Sequence, residues 1–106
     1  MAGVMSPSLW FAQGAIFPFV EAAPFSPGKI RLDIGTYEGP DMSDRTALMP
    51  TYVGRYILSL RRMRDLLIQK GYNPETDISY EEAPEAVHHE AAWAHRLPDV
   101  LRFMLR

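Results

Sequence analysis

The segment Lys29-Ile30-Arg31-Leu32-Asp33-Ile34 alternates in polarity and runs into Gly35-Thr36-Tyr37-Glu38-Gly39-Pro40-Asp41. Ile30, Leu32 and Ile34 fall on one side, the two-residue period of a strand with an apolar face. The glycines and Pro40-Asp41 then end the strand in a turn. Upstream, Ala2 to Met5 is a short apolar strand stopped by Ser6-Pro7-Ser8. Leu9 to Val20 is rich in aromatics, and Gly14 and Pro18 keep any helix there short. Pro24 to Gly28 is a connection. Downstream, the chain to Met49 is polar and loop-like. From Tyr52 to Lys70, Val53, Tyr56, Ile57, Leu60, Met63 and Leu67 recur at three- and four-residue steps, which predicts a helix stopped by Gly71. Asp77 to Glu82 alternates again, with Ile78 and Tyr80. Glu85 to His88 is a loop, His89 to Arg96 is helical, and Pro98 opens a closing helix from Asp99 to Leu105. Strand, short helix, strand, long helix, strand, helix is the alternation of an α/β fold with a parallel sheet and crossover helices.

Composition narrows the function classes. The 106 residues carry 11 Lys and Arg against 13 Asp and Glu, a net charge of −2. That balance gives no electrostatic reason to expect a nucleic-acid partner. There is no cysteine, hence no disulfide, no thiolate zinc site and no thiol nucleophile. No apolar run approaches the roughly 18–20 residues of a membrane span. The N-terminus lacks the basic segment of a signal peptide. A single cytoplasmic domain with no metal or organic cofactor is expected.

Two loops could carry chemistry, and both follow predicted strands. In open parallel sheets, ligands bind at the carboxyl ends of the strands. The first loop is Gly35-Thr36-Tyr37-Glu38; the second is Val87-His88-His89-Glu90-Ala91-Ala92-Trp93. An acid on one and a histidine on the next can meet, because adjacent strands lie about 5 Å apart. A carboxylate bonded to one imidazole nitrogen fixes the tautomer and leaves the other nitrogen free as a general base.

Acid then histidine, after successive strands, is the back half of an α/β-hydrolase triad. Ala2 to Trp10, Leu32 to Glu38 and the box His88-His89-Glu90-Ala91-Ala92-Trp93 resemble the C-terminal part of the esterase family related to enterochelin esterases and esterase D. The likeness covers nearly the whole chain. It implies the C-terminal part of an α/β-hydrolase fold, with three mostly parallel strands, and carboxylic-ester hydrolysis through an acyl-enzyme. It also implies His88 as catalytic base, Glu38 as the acid that orients it, and Ser6 and Trp10 as substrate-pocket residues, with a small-molecule ester as substrate. The family nucleophile sits in G-x-S-x-G. None of Ser6, Ser8, Ser26, Ser43, Ser59 and Ser79 does. The resemblance therefore implies a partial domain, inactive by itself, whose first strand has lost the neighbour that leads to the nucleophile. Self-association through that open edge is expected, and a non-catalytic α/β unit acting through association is the alternative.

Competing readings stand beside these. His88-His89-Glu90 is also an ordinary helix start, with Glu90 well placed in the first turn. Asp33 is the rival acid, read as an edge or pocket-rim residue, and Asp41 and Asp44 are weaker rivals. Trp93 suits a core position at helical spacing from Leu97. His95 and the arginines Arg61, Arg62 and Arg64 read as a solvated surface.

Overall fold

The computed structural model describes residues 2–9, 11–36, 50–86 and 89–106, the side chains of 50–55 excepted. Three strands, β1 (Ala2–Met5), β2 (Ile30–Gly35) and β3 (Ile78–Ala83), form one open sheet in the order β1-β2-β3. Both pairings are parallel, with Val4 opposite Leu32 and Leu32 opposite Tyr80. Between β1 and β2 run two short helices, α1 (Phe11–Gly14) and α2 (Ile16–Ala22); α3 (Pro50–Lys70) joins β2 to β3, and α4 (Glu90–Met104) follows β3. The expected α/β alternation is therefore present. No helix among the described residues is long and apolar enough to cross a membrane.

The alternation in β2 sorts its side chains between two layers. Leu32 and Ile34 face α3 and share one cluster with Tyr56, Leu60, Met63 and Leu67, four positions along a single helical face. Leu60 and Ile34 are wholly removed from water. Truncating either to alanine costs about 2–5 kcal/mol. Gly71 (φ 123°) ends α3: its N–H reaches the Ile68 carbonyl, and the Tyr72 N–H reaches back to Leu67 O at 3.2 Å. This is the paired bonding by which a left-handed glycine closes a helix.

The other face of β2 carries Arg31 and Asp33 beneath α4, which packs across β1 and β2. Asp33 is thus not at an edge or rim: it lies in the middle strand and is fully buried. Helix α4 runs back against the strands. Arg96 lies at the end of β1, while Lys29, just before β2, donates to the carbonyls of Phe103 and Arg106 near the helix C-terminus. Two expected helices are one. Pro98 sits inside α4 instead of opening a separate closing helix. Its missing N–H faces the Ala94 carbonyl on the exposed flank, where water can take that acceptor. Arg96, Val100 and Phe103 pack on either side of it and hold the axis together.

The region between β1 and α2 turns sharply. Ser6, Ala12 and Gln13 all have positive φ (50°, 52° and 59°), as does Gly14 at 74°. Phe17 of α2 is buried in the core and Val20 packs against it, while Phe11 and Phe19 stay exposed.

Candidate functional site

The loops after β2 and β3 begin at the same place. Gly35 and Ala83 are register partners at the ends of their strands. One residue further, Thr36 N–H donates to Ala83 O at 2.9 Å. The Thr36 hydroxyl then accepts the Glu85 N–H at 2.6 Å, so a side chain of one loop holds the backbone of the other. Glu85 adopts a left-handed φ of 58°, and Ala86 N–H folds back onto Ala83 O. Position 35 must be glycine for this closeness: a Cβ there would lie 2.1 Å from the Ala86 carbonyl oxygen.

Glu38, His88 and Trp10 lie outside the described residues. The described ends of the two loops, Thr36 on one and Ala83 to Ala86 on the other, are hydrogen-bonded to each other.

His89 is exposed and caps α4; its Nδ1 accepts the Ala91 N–H at 3.1 Å. The accepting Nδ1 leaves the neutral-ring proton on Nε2. Glu90 occupies the first turn, favourable for a carboxylate near the helix N-terminus. The helix-start reading therefore describes His89 and Glu90. His95 is exposed, as expected.

Beneath the sheet ends lies a buried polar network. Arg96 is 4 % exposed; its Nη2 stands 3.1 Å from Asp33 Oδ1 and donates to the Ser6 hydroxyl at 2.8 Å. Ser6, expected to line a pocket, is itself buried, with its hydroxyl committed to Arg96. Arg31 Nη2 meets Asp33 Oδ2 at 3.4 Å and Glu81 Oε1 at 2.6 Å, and Nη1 donates to Ser79 Oγ at 2.8 Å. Asp33 is fully buried, and its carboxylate is shared by the guanidiniums of Arg31 and Arg96. Arg96 Nε and Nη1 have no hydrogen-bond partner among the described residues. Each orphaned donor costs about 1–3 kcal/mol, so the network specifies more than it stabilises.

Arg96 was not among the residues singled out from sequence. The signal was present in its spacing. Arg96, Val100 and Phe103 fall on one helical face, so an arginine at the head of an apolar stripe points inward and needs an acid.

A cavity of about 340 Å³ opens between β3 and α4, lined by Glu81, Ala83, Ala86, His95, Arg96 and Asp99. On the opposite face, Arg61 and Arg62 of α3 are exposed, as expected, and Arg64 half-buried, and each has a partner. Arg61 pairs with Glu82 at 2.7 Å, Arg62 lies over the Phe17 ring and Arg64 over Tyr80. The hydrogen bond from Arg61 holds the Glu82 carboxyl below its ordinary range. Burial, then the Glu82 charge, pushes the Tyr80 phenol up to about 12.

Comparisons with protein-family models, with curated proteins and with solved structures return no match.

Proposed function

We propose that this chain supplies the acid and the base of a serine-type carboxylic-ester hydrolase, with Glu38 orienting His88. The observation that carries the reading is the shared root of the two loops. They follow adjacent parallel strands, and Thr36 bonds to both Ala83 O and Glu85 N–H. Sequence resemblance to the esterase D-like family assigns the roles. His88 takes the proton of an attacking serine, returns it to the leaving alcohol, and then activates the water that cleaves the acyl-enzyme. Glu38 holds the imidazole in the tautomer that leaves its second nitrogen free. Trp10, four residues after Ser6 in the sequence, belongs to the substrate pocket by the same resemblance. The nucleophile must come from a G-x-S-x-G segment, which is not found in these 106 residues. Small-molecule esters are the substrate class, and a cytoplasmic location belongs to the same proposal.

Complementation tests it. The chain is co-expressed with an α/β segment bearing a G-x-S-x-G elbow and assayed with p-nitrophenyl acetate. Turnover with an acyl-enzyme burst is expected, abolished by His88→Ala, reduced by Glu38→Gln and kept by His89→Ala. Turnover indifferent to His88→Ala, or an assembled complex without turnover, contradicts the reading.

A further inference from the structure

Helix α4 packs on β1 and β2, and the cavity beside it opens over β3. Glu81 and Ala83 lie on the α4 side of β3, because their register partners Asp33 and Gly35 lie on that side of β2. Across from them stand Ala92, His95, Arg96 and Asp99. These are the i, i+3, i+4 and i+7 positions of one helical face. Ala83, Ala86 and Ala92 supply walls without bulk, so about 340 Å³ is left between strand and helix. That volume falls within the roughly 300–1,000 Å³ of small-molecule sites.

The polar groups of the cavity divide into two kinds. Arg96 is buried, and its Nη2 is taken by Asp33 and Ser6. Its Nε and Nη1 have no hydrogen-bond partner among the described residues. A buried guanidinium N–H calls for an acceptor, and a carboxylate is the strongest. Glu81 and Asp99 are the second kind. Each is bonded through one oxygen, Glu81 Oε1 to Arg31 and Asp99 Oδ1 to Arg102. Their other oxygens accept no hydrogen bond among the described residues.

The charges around the cavity cancel. Arg31, Arg96 and Arg102 balance Asp33, Glu81 and Asp99. A simple anion satisfies Arg96 but meets the two carboxylates. A simple cation satisfies the carboxylates but leaves the Arg96 donors unmet. A molecule with one end of each sign answers both and adds no net charge. We infer that this cavity binds a small zwitterion of the free amino-acid class, its carboxylate on Arg96 and its ammonium toward Glu81 and Asp99. The site uses neither Glu38 nor His88 and stands apart from ester hydrolysis.

Titration of the full chain, followed at the Arg96 side-chain Nε–H resonance, tests the proposal. The probes are L-alanine and its two halves, propionate and ethylammonium. L-Alanine is expected to shift the resonance saturably. Each half should bind on the order of tenfold or more weaker, having lost the charged hydrogen bonds of one end. Ala92→Leu adds bulk to the cavity wall and removes no hydrogen bond. It should weaken L-alanine binding by on the order of tenfold or more, with the thermal midpoint of the chain retained. Asp99→Asn, at an exposed side chain, should weaken L-alanine and leave propionate as it is. Leu97→Ala, off the cavity face, should bind as the parent does. No saturable shift with L-alanine, propionate or ethylammonium binding as tightly as L-alanine, or full binding by Ala92→Leu overturns the proposal.

Discussion

The carboxylate of Asp33, in the middle strand, stands 3.1 Å from the guanidinium of Arg96 on the last helix, and both side chains are shut away from water. The contact ties α4 to the sheet at the end where the loops emerge. It also joins Ser6, at the exit of β1, to the same guanidinium. One buried arginine therefore sets the position of α4 relative to two strands at once.

Removing one member of this cluster should cost more than removing a matched pair. Asp33→Asn leaves Arg31 and Arg96 facing each other without their shared counter-charge, and a loss of about 3–5 kcal/mol is expected. In Asp33→Leu with Arg96→Met, Arg31 keeps Glu81 and no buried charge is orphaned. The double variant should be less destabilised than the sum of its single changes by about 1–3 kcal/mol. Urea midpoints of the four proteins give the coupling directly, and strict additivity would mean that the two groups do not interact.

Gly35→Ala should act on the site as well as on stability. A methyl group 2.1 Å from the Ala86 carbonyl oxygen cannot be absorbed by side-chain rotation, because the obstacle is backbone. The root of the His88 loop must move, at a cost of roughly 1–3 kcal/mol. Thermal unfolding measures the cost. Amide chemical shifts of Thr36 and Glu85 should change more than those of Val100; unchanged shifts there would refute the close approach.

Much of this architecture is legible in the residues. Ile30, Leu32 and Ile34 give β2 by period, Tyr56 to Leu67 give α3, and Gly71 gives its end. The second face of β2 is not legible in the same way. Asp33 reads as an edge or pocket-rim residue, because Glu81 and Arg96, the partners that bury Arg31 and Asp33, lie far along the chain and no local pattern announces them. Pro98 misleads for a related reason: local propensity breaks the helix there, while packing by Arg96 and Val100 carries it through. At the site, His89 and Glu90 follow ordinary helix-start chemistry. The roles of Glu38 and His88 come from resemblance, and both lie outside the described residues.

The Tyr80 phenol offers a pH test on the α3 side of the sheet. Its folded value, about 12, lies above the value of about 10 in an unfolded chain. The folded state therefore favours the neutral phenol. This contribution is complete below pH 10 and is lost as the pH rises from about 10 toward 12. Tyr80 is only partly buried, so the loss is modest. Denaturation midpoints should fall over that range, and less steeply in Tyr80→Phe. The Glu82 carboxyl, lowered by Arg61, has the opposite sign: its contribution holds above the ordinary carboxylate range and disappears as the pH drops through its folded value.

The pairing of Glu38 with His88 is tested most directly by following the imidazole Cε1–H resonance of His88 through a pH titration, in the native chain and in Glu38→Gln. An adjacent carboxylate favours the protonated ring. The account predicts that Glu38→Gln moves the His88 midpoint to lower pH and leaves those of His89 and His95 unchanged. A His88 midpoint unaffected by Glu38→Gln, or a shift shared equally by all three histidines, would contradict it.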